Sequence, residues 1–153
     1  MTKCIELASK SVKQTKQIAQ IIGKSLQGGE CIELISDVGG GKTTFVRGLA
    51  KGAESKDHIS SPSYTISKVY TTPKFDIVHF DFYRLEDAGL TSYNIEEEIA
   101  DASSVIVVEW SDVIKHILPD ERLIISISVI EDDSRLFKIQ CPNSIAYLLA
   151  GLE

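Results

Sequence analysis

The sequence predicts an α/β fold with a mixed, mainly parallel central sheet flanked by helices. Apolar runs typical of strands alternate along the chain with stretches of helical periodicity. One run, "SSVIVVEW", holds four consecutive β-branched residues, which is typical of a strand buried on both faces. A glycine-rich segment, "GGGK", joins an apolar run to a helical stretch. The 153 residues suit one core, so we expect a single domain over residues 1–153.

Before the glycines, the sequence predicts a short strand over "KCIEL", a helix over "SVKQTKQIAQIIGKSLQGG" and a strand over "CIELI". Ser11 and Gln14 have the spacing of a capping box at the start of this helix. One face of the helix carries four regularly spaced residues: Thr15, Ile18, Ala19 and Ile22. We expect Gly28 and Gly29 to stop it.

After the glycines, a helix is predicted over "KTTFVRGLAKG", closed by Gly52. A loop over "DHISSPSYTISKVYTT" leads into a strand, and Pro73 precedes a further strand over "KFDIVHFDFYRL". A short helix is predicted over "TSYNIEEEIA". Beyond the buried strand, "ERLIISISVI" and "SRLFKIQC" form an antiparallel hairpin through the turn "EDDS", which makes the sheet mixed. A helix over "NSIAYLLAGL" closes the chain.

The composition excludes several classes of function. No apolar run approaches the roughly 20 residues that span a bilayer, and "MTKCIELASK" lacks the apolar part of a secretory signal. We therefore expect a cytoplasmic protein without membrane contact. A net charge of −6 argues against gripping nucleic acid alone, because phosphate contacts need a basic face. Three scattered cysteines, Cys4, Cys31 and Cys141, indicate no disulfide framework, and we expect them to be buried.

The glycine-rich segment has the three parts of a nucleotide phosphate site. Gly39, Gly40 and Gly41 let backbone N–H groups converge on phosphate oxygens. Lys42 supplies an ammonium for the outer phosphates, and Thr43 supplies a hydroxyl for magnesium. The following helix points its positive end at the same place.

Ser36 departs from the pattern G-x-x-x-x-G-K-[ST], in which the first position is glycine. If the turn at this position needs a positive φ, serine costs about 1–2 kcal/mol. That free energy is about one decade of affinity, so we expect weakened or unchanged nucleotide binding rather than its loss.

Two carboxylates stand at strand ends, where a magnesium nucleotide site needs them. Glu109 terminates "VIVV" and Asp81 lies late in "IVHFDF". Either could hold magnesium, directly or through its water shell, or orient an attacking water. The alternative is a surface carboxylate just past a strand for Glu109, and an outward strand residue for Asp81.

The sequence offers three further candidate site residues, whose roles the residue types alone do not decide. His79 is expected to be an outward or satisfied strand residue rather than a catalytic base. Trp110 is expected in the core or an interface, and Arg84 either approaches phosphates or pairs with an acid.

Four motifs in order, "GGGKTTFVRGL", "SSPSYTISKVY", "HFDFYRL" and "VVEW", resemble those of the bacterial TsaE (YjeE) ATPases. That family reads approximately G-D-L-G-A-G-K-T-T, S-P-T-F-T, H-F-D-L-Y-R and I-E-W at comparable spacings. The similarity covers nearly the whole chain. It implies a P-loop NTPase fold and a part in making N6-threonylcarbamoyladenosine in tRNA.

The resemblance also implies roles for individual positions. Lys42 and Thr43 fall on the phosphate lysine and the magnesium hydroxyl. Glu109 falls on a Walker B-like carboxylate, Asp81 on an acid near the metal and γ-phosphate, and Trp110 on the family's tryptophan. The implied nucleotide-binding residues are Asp37, Val38, Gly39, Gly40, Gly41, Lys42, Thr43 and Thr44. The implied switch-like loop contains Ser61, Pro62, Ser63, Tyr64 and Thr65, with Ser63 in place of the usual threonine.

The resemblance further implies ATP and Mg²⁺ as cofactors and two protein partners, TsaD, which transfers the carbamoyl group, and TsaB. ATP turnover is thought to reset their complex between rounds, so tRNA contact would be indirect. We therefore expect a weak ATPase that its partners activate.

Three alternatives remain. A small-molecule kinase usually needs an arginine-bearing lid, but the four arginines are dispersed: Arg47, Arg84, Arg122 and Arg135. A GTP switch commonly carries N-K-x-D, and neither Asn94 nor Asn143 precedes a lysine. A nucleotide-dependent scaffold without hydrolysis finds its best support in Ser36.

Overall fold

The computed structural model describes residues 1–36, 41–60, 67–82, 96–97 and 100–152. Its centre is a seven-stranded sheet in the order β1-β7-β6-β2-β5-β4-β3. The strands are β1 (Thr2–Ser9), β2 (Cys31–Ile35), β3 (Ser67–Thr71), β4 (Asp76–Asp81), β5 (Ser104–Glu109), β6 (Leu123–Glu131) and β7 (Ser134–Pro142). The helices are α1 (Val12–Ser25) and α2 (Lys42–Gly52), and two 3₁₀ segments span Ser111–Ile117 and Asn143–Leu152.

The middle of the sheet is parallel and its margins are antiparallel. β2 pairs in parallel with both β5 and β6, and β5 pairs in parallel with β4. Every residue of β5 is buried, as its β-branched run predicts. The hairpin of β6 and β7 is confirmed, while β1 and β3 add antiparallel strands at the two margins. The predicted fold class, a mixed and mainly parallel α/β sheet, is therefore confirmed.

Both α-helices pack on one face of the sheet, over the larger apolar core. The Ser11 half of the capping box is confirmed, because Ser11 Oγ accepts from the Gln14 N–H (3.1 Å). The Gln14 side chain accepts from the N–H of Lys10, one residue before the cap (2.7 Å). The sequence placed the end of α1 too late, because the helix ends at Ser25 and not at the glycines. Gly28 and Gly29, with φ of 107° and 86°, form the turn into β2. Glycine adopts positive φ at little steric cost, so these two residues let the chain reverse direction between α1 and β2.

The opposite face of the sheet carries a smaller core, built under the 3₁₀ segment Ser111–Ile117. The chain's final segment differs from the predicted closing helix. Residues Asn143–Leu152 form short 3₁₀ turns broken at Ile145 (φ −122°), since this residue leaves the helical region. The segment still buries Leu148 and Leu149 against α1 and β7.

The three cysteines differ in their burial. Cys31 and Cys141 are buried as expected, but Cys4 is exposed, because it lies on the outward side of the marginal strand β1. The helix predicted over "TSYNIEEEIA" falls largely outside the described residues. Within the described ranges, no helix has the length and apolar character needed to cross a membrane.

Candidate functional site

The site predicted from sequence lies at one edge of the sheet. The parallel strands β2, β5 and β4 run in the same direction, so their carboxyl ends meet there. The chain leaves β2 at this edge and enters α2 at Lys42, so the first turn of α2 faces the strand ends. Gly41 precedes the helix with φ of 106°, a left-handed conformation that favours glycine.

Lys42 is only 7% exposed. Its Nζ donates to the Ser36 carbonyl oxygen at 2.8 Å and lies 4.3 Å from the centre of the Trp110 ring. The ammonium is thereby held between the end of β2 and the residue after β5. Thr43 and Thr44 lie half-buried in the first turn of α2, while Asp37, Val38, Gly39 and Gly40 fall outside the described residues.

Ser36 does not carry the strain that its departure from the glycine pattern suggested. Among the described residues other than glycine, positive φ occurs at Glu54, Trp110 and Asp132. Ser36 therefore avoids the left-handed region, and the conditional cost of serine does not arise. Its carbonyl, rather than its side chain, makes the contact to Lys42.

Asp81 and Glu109 are neighbours. They are paired residues in the parallel register of β4 and β5, which places their backbones about 4.8 Å apart. Asp81 is 5% exposed and Glu109 is 2% exposed. Glu109 is therefore not a surface carboxylate, and Asp81 is not an exposed outward residue of its strand. Two adjacent buried carboxylates repel each other unless positive charge or hydrogen-bond donors compensate them.

His79 provides a hydrogen-bond partner for one of these carboxylates. It lies two residues before Asp81 on β4, so both side chains point to the face that carries α2. Its Nε2 lies 2.5 Å from Glu109 Oε2, and the imidazole is completely buried. The expectation of an outward strand residue was wrong, and that of a satisfied one holds only for Nε2. Nδ1 has no hydrogen-bond partner among the described residues.

Trp110 begins the chain's turn away from β5. Its backbone is left-handed (φ 55°, ψ 54°), which costs a bulky residue about 1–2 kcal/mol. The next residue, Ser111, donates from Oγ to Glu33 Oε2, and Arg122 Nε donates to Glu33 Oε1 at 2.9 Å. This buried network ties the end of β5 to β2 and fixes the chain that carries the indole.

A groove of about 490 Å³ opens beside the site, on the face of the sheet opposite α1 and α2. Ser36 and Trp110 form its end nearest to Lys42, and β6 and the 3₁₀ segment Ser111–Ile117 form its walls. This volume lies within the range of small-molecule sites. The remaining predicted residues, Arg84 and the switch loop (Ser61, Ser63, Thr65), lie outside the described residues.

The donor set matches the chemistry of a magnesium-bound polyphosphate. It offers an ammonium, a threonine hydroxyl, two carboxylates and the start of an eleven-residue helix without a side-chain cap. Across the described residues, His, Cys, Asp and Glu form no cluster of three that could cage a metal. Mg²⁺ does not require one, because it is usually bound through one or two carboxylates together with phosphate oxygens and water.

The family described as "Threonylcarbamoyl adenosine biosynthesis protein TsaE" matches residues 9–137 of the chain. The chain belongs to the TsaE family. A curated TsaE family member from Rickettsia prowazekii (strain Madrid E) is 34% identical over 134 residues, covering 87% of this chain and 92% of the relative. Another from Bacillus subtilis (strain 168) is 36% identical over 127 residues, covering 80% and 77%. Both are called tRNA threonylcarbamoyladenosine biosynthesis protein TsaE.

A solved structure agrees with this TsaE assignment. The crystal structure of YdiB from Bacillus subtilis superposes with a TM-score of 0.78 at 30% identity, covering 99% of this chain and 95% of that chain. The fold and the family resemblance noted in the sequence are thus both confirmed. The chain is a TsaE family member, and that family takes part in tRNA threonylcarbamoyladenosine biosynthesis.

Sequence reasoning undervalued His79. The alternation of a strand places residues 79 and 81 on one face, so a histidine two positions before a candidate carboxylate could have been assigned to the site. Its contact with Glu109, 30 residues further along the chain, needs the pairing of β4 with β5.

Proposed function

We propose that this chain binds ATP with Mg²⁺ and hydrolyses the ATP weakly, within the tRNA threonylcarbamoyladenosine pathway. One observation carries the proposal. The buried Lys42, at the start of α2, lies at the same sheet edge as the paired carboxylates Asp81 and Glu109. A fixed cation beside two adjacent buried anions suits a ligand that brings both phosphate and a divalent cation.

Each residue of the site has a role in this proposal. Lys42 binds the outer phosphates after leaving the Ser36 carbonyl, and the N–H groups at the start of α2 donate to phosphate oxygens. Thr43 and Glu109 hold the metal, and Asp81 either joins them through water or orients the attacking water. Bound Mg²⁺ would neutralise charge on the phosphates. The groove beside Ser36 and Trp110 offers space for the rest of the nucleotide.

The proposed partners are TsaD and TsaB, with ATP turnover resetting their complex. The net charge of −6 favours protein partners over direct tRNA contact, since a phosphate-binding surface needs excess positive charge. In this scheme the chain handles the nucleotide and its partners handle the tRNA.

Calorimetric titration with Mg-ATP tests the phosphate assignment. Lys42→Ala should weaken binding at least about tenfold, because a charge-assisted hydrogen bond contributes about 1.5–3 kcal/mol. Lys51→Ala, at the exposed far end of the same helix, is the matched control and should bind as the wild type does. An unchanged affinity in Lys42→Ala would refute the assignment.

Phosphate release in the presence of TsaD and TsaB tests the hydrolytic part. Glu109→Ala should chiefly lose turnover. It should keep ATP binding without magnesium and lose part of the affinity that magnesium adds. Tight ATP binding by the wild type without phosphate release, even with both partners, would favour the scaffold. A preference for GTP in competition, or transfer of phosphate to a metabolite, would favour the switch or the kinase.

A further inference from the structure

His79 is buried and polar, and the proposed function gives it no role. It is completely inaccessible to solvent on β4, a strand in which Val78 and Phe80 point to the opposite face. Its described polar contact is the 2.5 Å approach of Nε2 to Glu109 Oε2. A buried imidazole in a strand is costly unless its hydrogen bonds compensate the lost hydration. The contact with Glu109 is therefore the reason to look for a role.

The contact joins an imidazole nitrogen to a carboxylate oxygen. An ionised carboxylate only accepts hydrogen bonds, so Nε2 donates the hydrogen bond when Glu109 is ionised. Nδ1 finds no hydrogen-bond partner among the described residues.

The imidazole is itself held in place from the next strand. The Tyr70 ring lies against it, with ring centroids 6.2 Å apart, and the Tyr70 hydroxyl donates to the Ser60 carbonyl at 2.8 Å. Tyr70 is buried, so this packing limits the rotation of His79. A rigid donor can then restrain the longer and more flexible glutamate side chain.

We infer that His79 is a positioning residue: it holds Glu109 through Oε2 and so presents Oε1 to the metal-nucleotide site. This inference rests on the proposed function, because it presumes that Glu109 serves the metal. Partners that orient a metal-binding carboxylate typically change metal affinity or activity 10- to 100-fold when they are removed. His79 would thus act through Glu109 without touching the ligand.

Two substitutions at one position separate the hydrogen bond from the packing. His79→Leu introduces an apolar side chain of similar size and removes the hydrogen-bonding nitrogens. His79→Gln places an amide nitrogen near the position of Nε2 and keeps a donor. We expect His79→Leu to bind ATP without magnesium as the wild type does, and to lose about tenfold or more of the affinity gained when magnesium is added. His79→Gln should recover most of that gain.

A double-mutant comparison tests whether His79 works through Glu109. In a Glu109→Ala background, adding His79→Leu should change the magnesium-dependent gain by less than about twofold, because the contact is already gone. The exposed histidines supply controls: His58→Gln and His116→Gln should match the wild type. If the double variant loses more than about twofold of the gain that Glu109→Ala alone retains, the inference is overturned.

Nitrogen-correlated NMR of the protein without nucleotide gives a readout that does not depend on activity. The three histidines are distinguished by the loss of one signal set in each substituted protein. We expect the His79 imidazole to carry its proton on Nε2 and to shift in Glu109→Gln. A proton on Nδ1 alone would overturn the inference even if His79→Leu failed to fold.

The two proposals fail differently. If Glu109→Ala leaves the effect of magnesium unchanged, or the wild type binds no Mg-ATP, the proposed function is lost and the role of His79 with it. If Glu109→Ala reduces the effect of magnesium and His79→Leu does not alter it, only the positioning role is lost.

Discussion

Trp110 combines a strained backbone with a charge contact. Its left-handed φ of 55° places the indole next to Lys42, whose ammonium lies 4.3 Å from the ring centre. Lys42 is almost completely buried, so this cation–π contact is largely desolvated, and such contacts contribute up to about 2 kcal/mol. The strain at residue 110 and the position of Lys42 are therefore linked.

A double-mutant cycle measures this contact. Urea unfolding of Trp110→Leu, Lys42→Met and the double variant should give a coupling energy of about 0.5–2 kcal/mol. Leucine carries the same left-handed cost as tryptophan, so that cost cancels in the cycle. A control cycle that combines Trp110→Leu with Lys51→Met, at an exposed position, should give no coupling energy. A coupling near zero for Lys42 would show that the ring does not stabilise the ammonium.

At the scale of elements, α1 and α2 touch through glycines. A Cβ added to Gly48 would lie 2.5 Å from the Lys16 carbonyl oxygen, and one added to Gly52 would lie 2.2 Å from that of Gln20. Gly23 of α1 approaches the Leu49 carbonyl of α2 in the same way, at 2.1 Å. The helices therefore pack backbone to backbone. Since α2 begins at Lys42, this packing also fixes the direction from which the lysine enters the site.

Gly48→Ala distinguishes helix propensity from tertiary packing. Propensity alone would make the change stabilising by about 1 kcal/mol, since alanine is the better helix former. The clash with the Lys16 carbonyl should reverse the sign and destabilise the protein by about 1–3 kcal/mol, measured by urea denaturation. Lys51→Ala, an exposed change in the same helix, should stay within about 0.5 kcal/mol of the wild type. A stabilised Gly48→Ala would contradict this packing.

At the scale of the whole molecule, burial changes the proton affinity of groups far from the site. Burial raises the pKa of Cys31 from 9.0 to about 12, with Arg122 opposing and Glu33 adding to the shift. Burial also raises the pKa of Tyr147, whose hydroxyl donates to Glu30 at 2.6 Å. The folded protein therefore retains protons that the unfolded chain releases in alkaline solution.

Stability should consequently fall in alkaline solution. A pKa raised on folding contributes stability that is fully present below the unfolded value and is lost as pH rises through the folded value. For Cys31 this window runs from about pH 9 to about pH 12. Urea unfolding at pH 8, 9 and 10 should show a shallower decline in Cys31→Ala than in the wild type. Cys4→Ala, at an exposed position, should leave the slope unchanged, and equal slopes in all three proteins would contradict the prediction.

Much of the fold is encoded locally and was predictable. Ser11 caps α1, the β-branched run of residues 105–108 specifies the buried β5, and the turn after Glu131 specifies the hairpin. Where local signals were weak, the prediction failed: 3₁₀ turns replaced the closing helix, and Cys4 proved exposed on a marginal strand. A short apolar stretch does not by itself show which face of the strand will be buried by the rest of the protein.

The sequence by itself determined the α/β class, the family and the candidate residues, because strand alternation, capping and glycine spacing act within a few residues of chain. Only the tertiary structure decided that Asp81 and Glu109 are neighbours, that His79 holds Glu109 and that Trp110 lies on Lys42. The physical reason is that each of these contacts joins residues about 30 or more positions apart. Their proximity follows from the order of strands in the sheet, and many buried contacts together set that order.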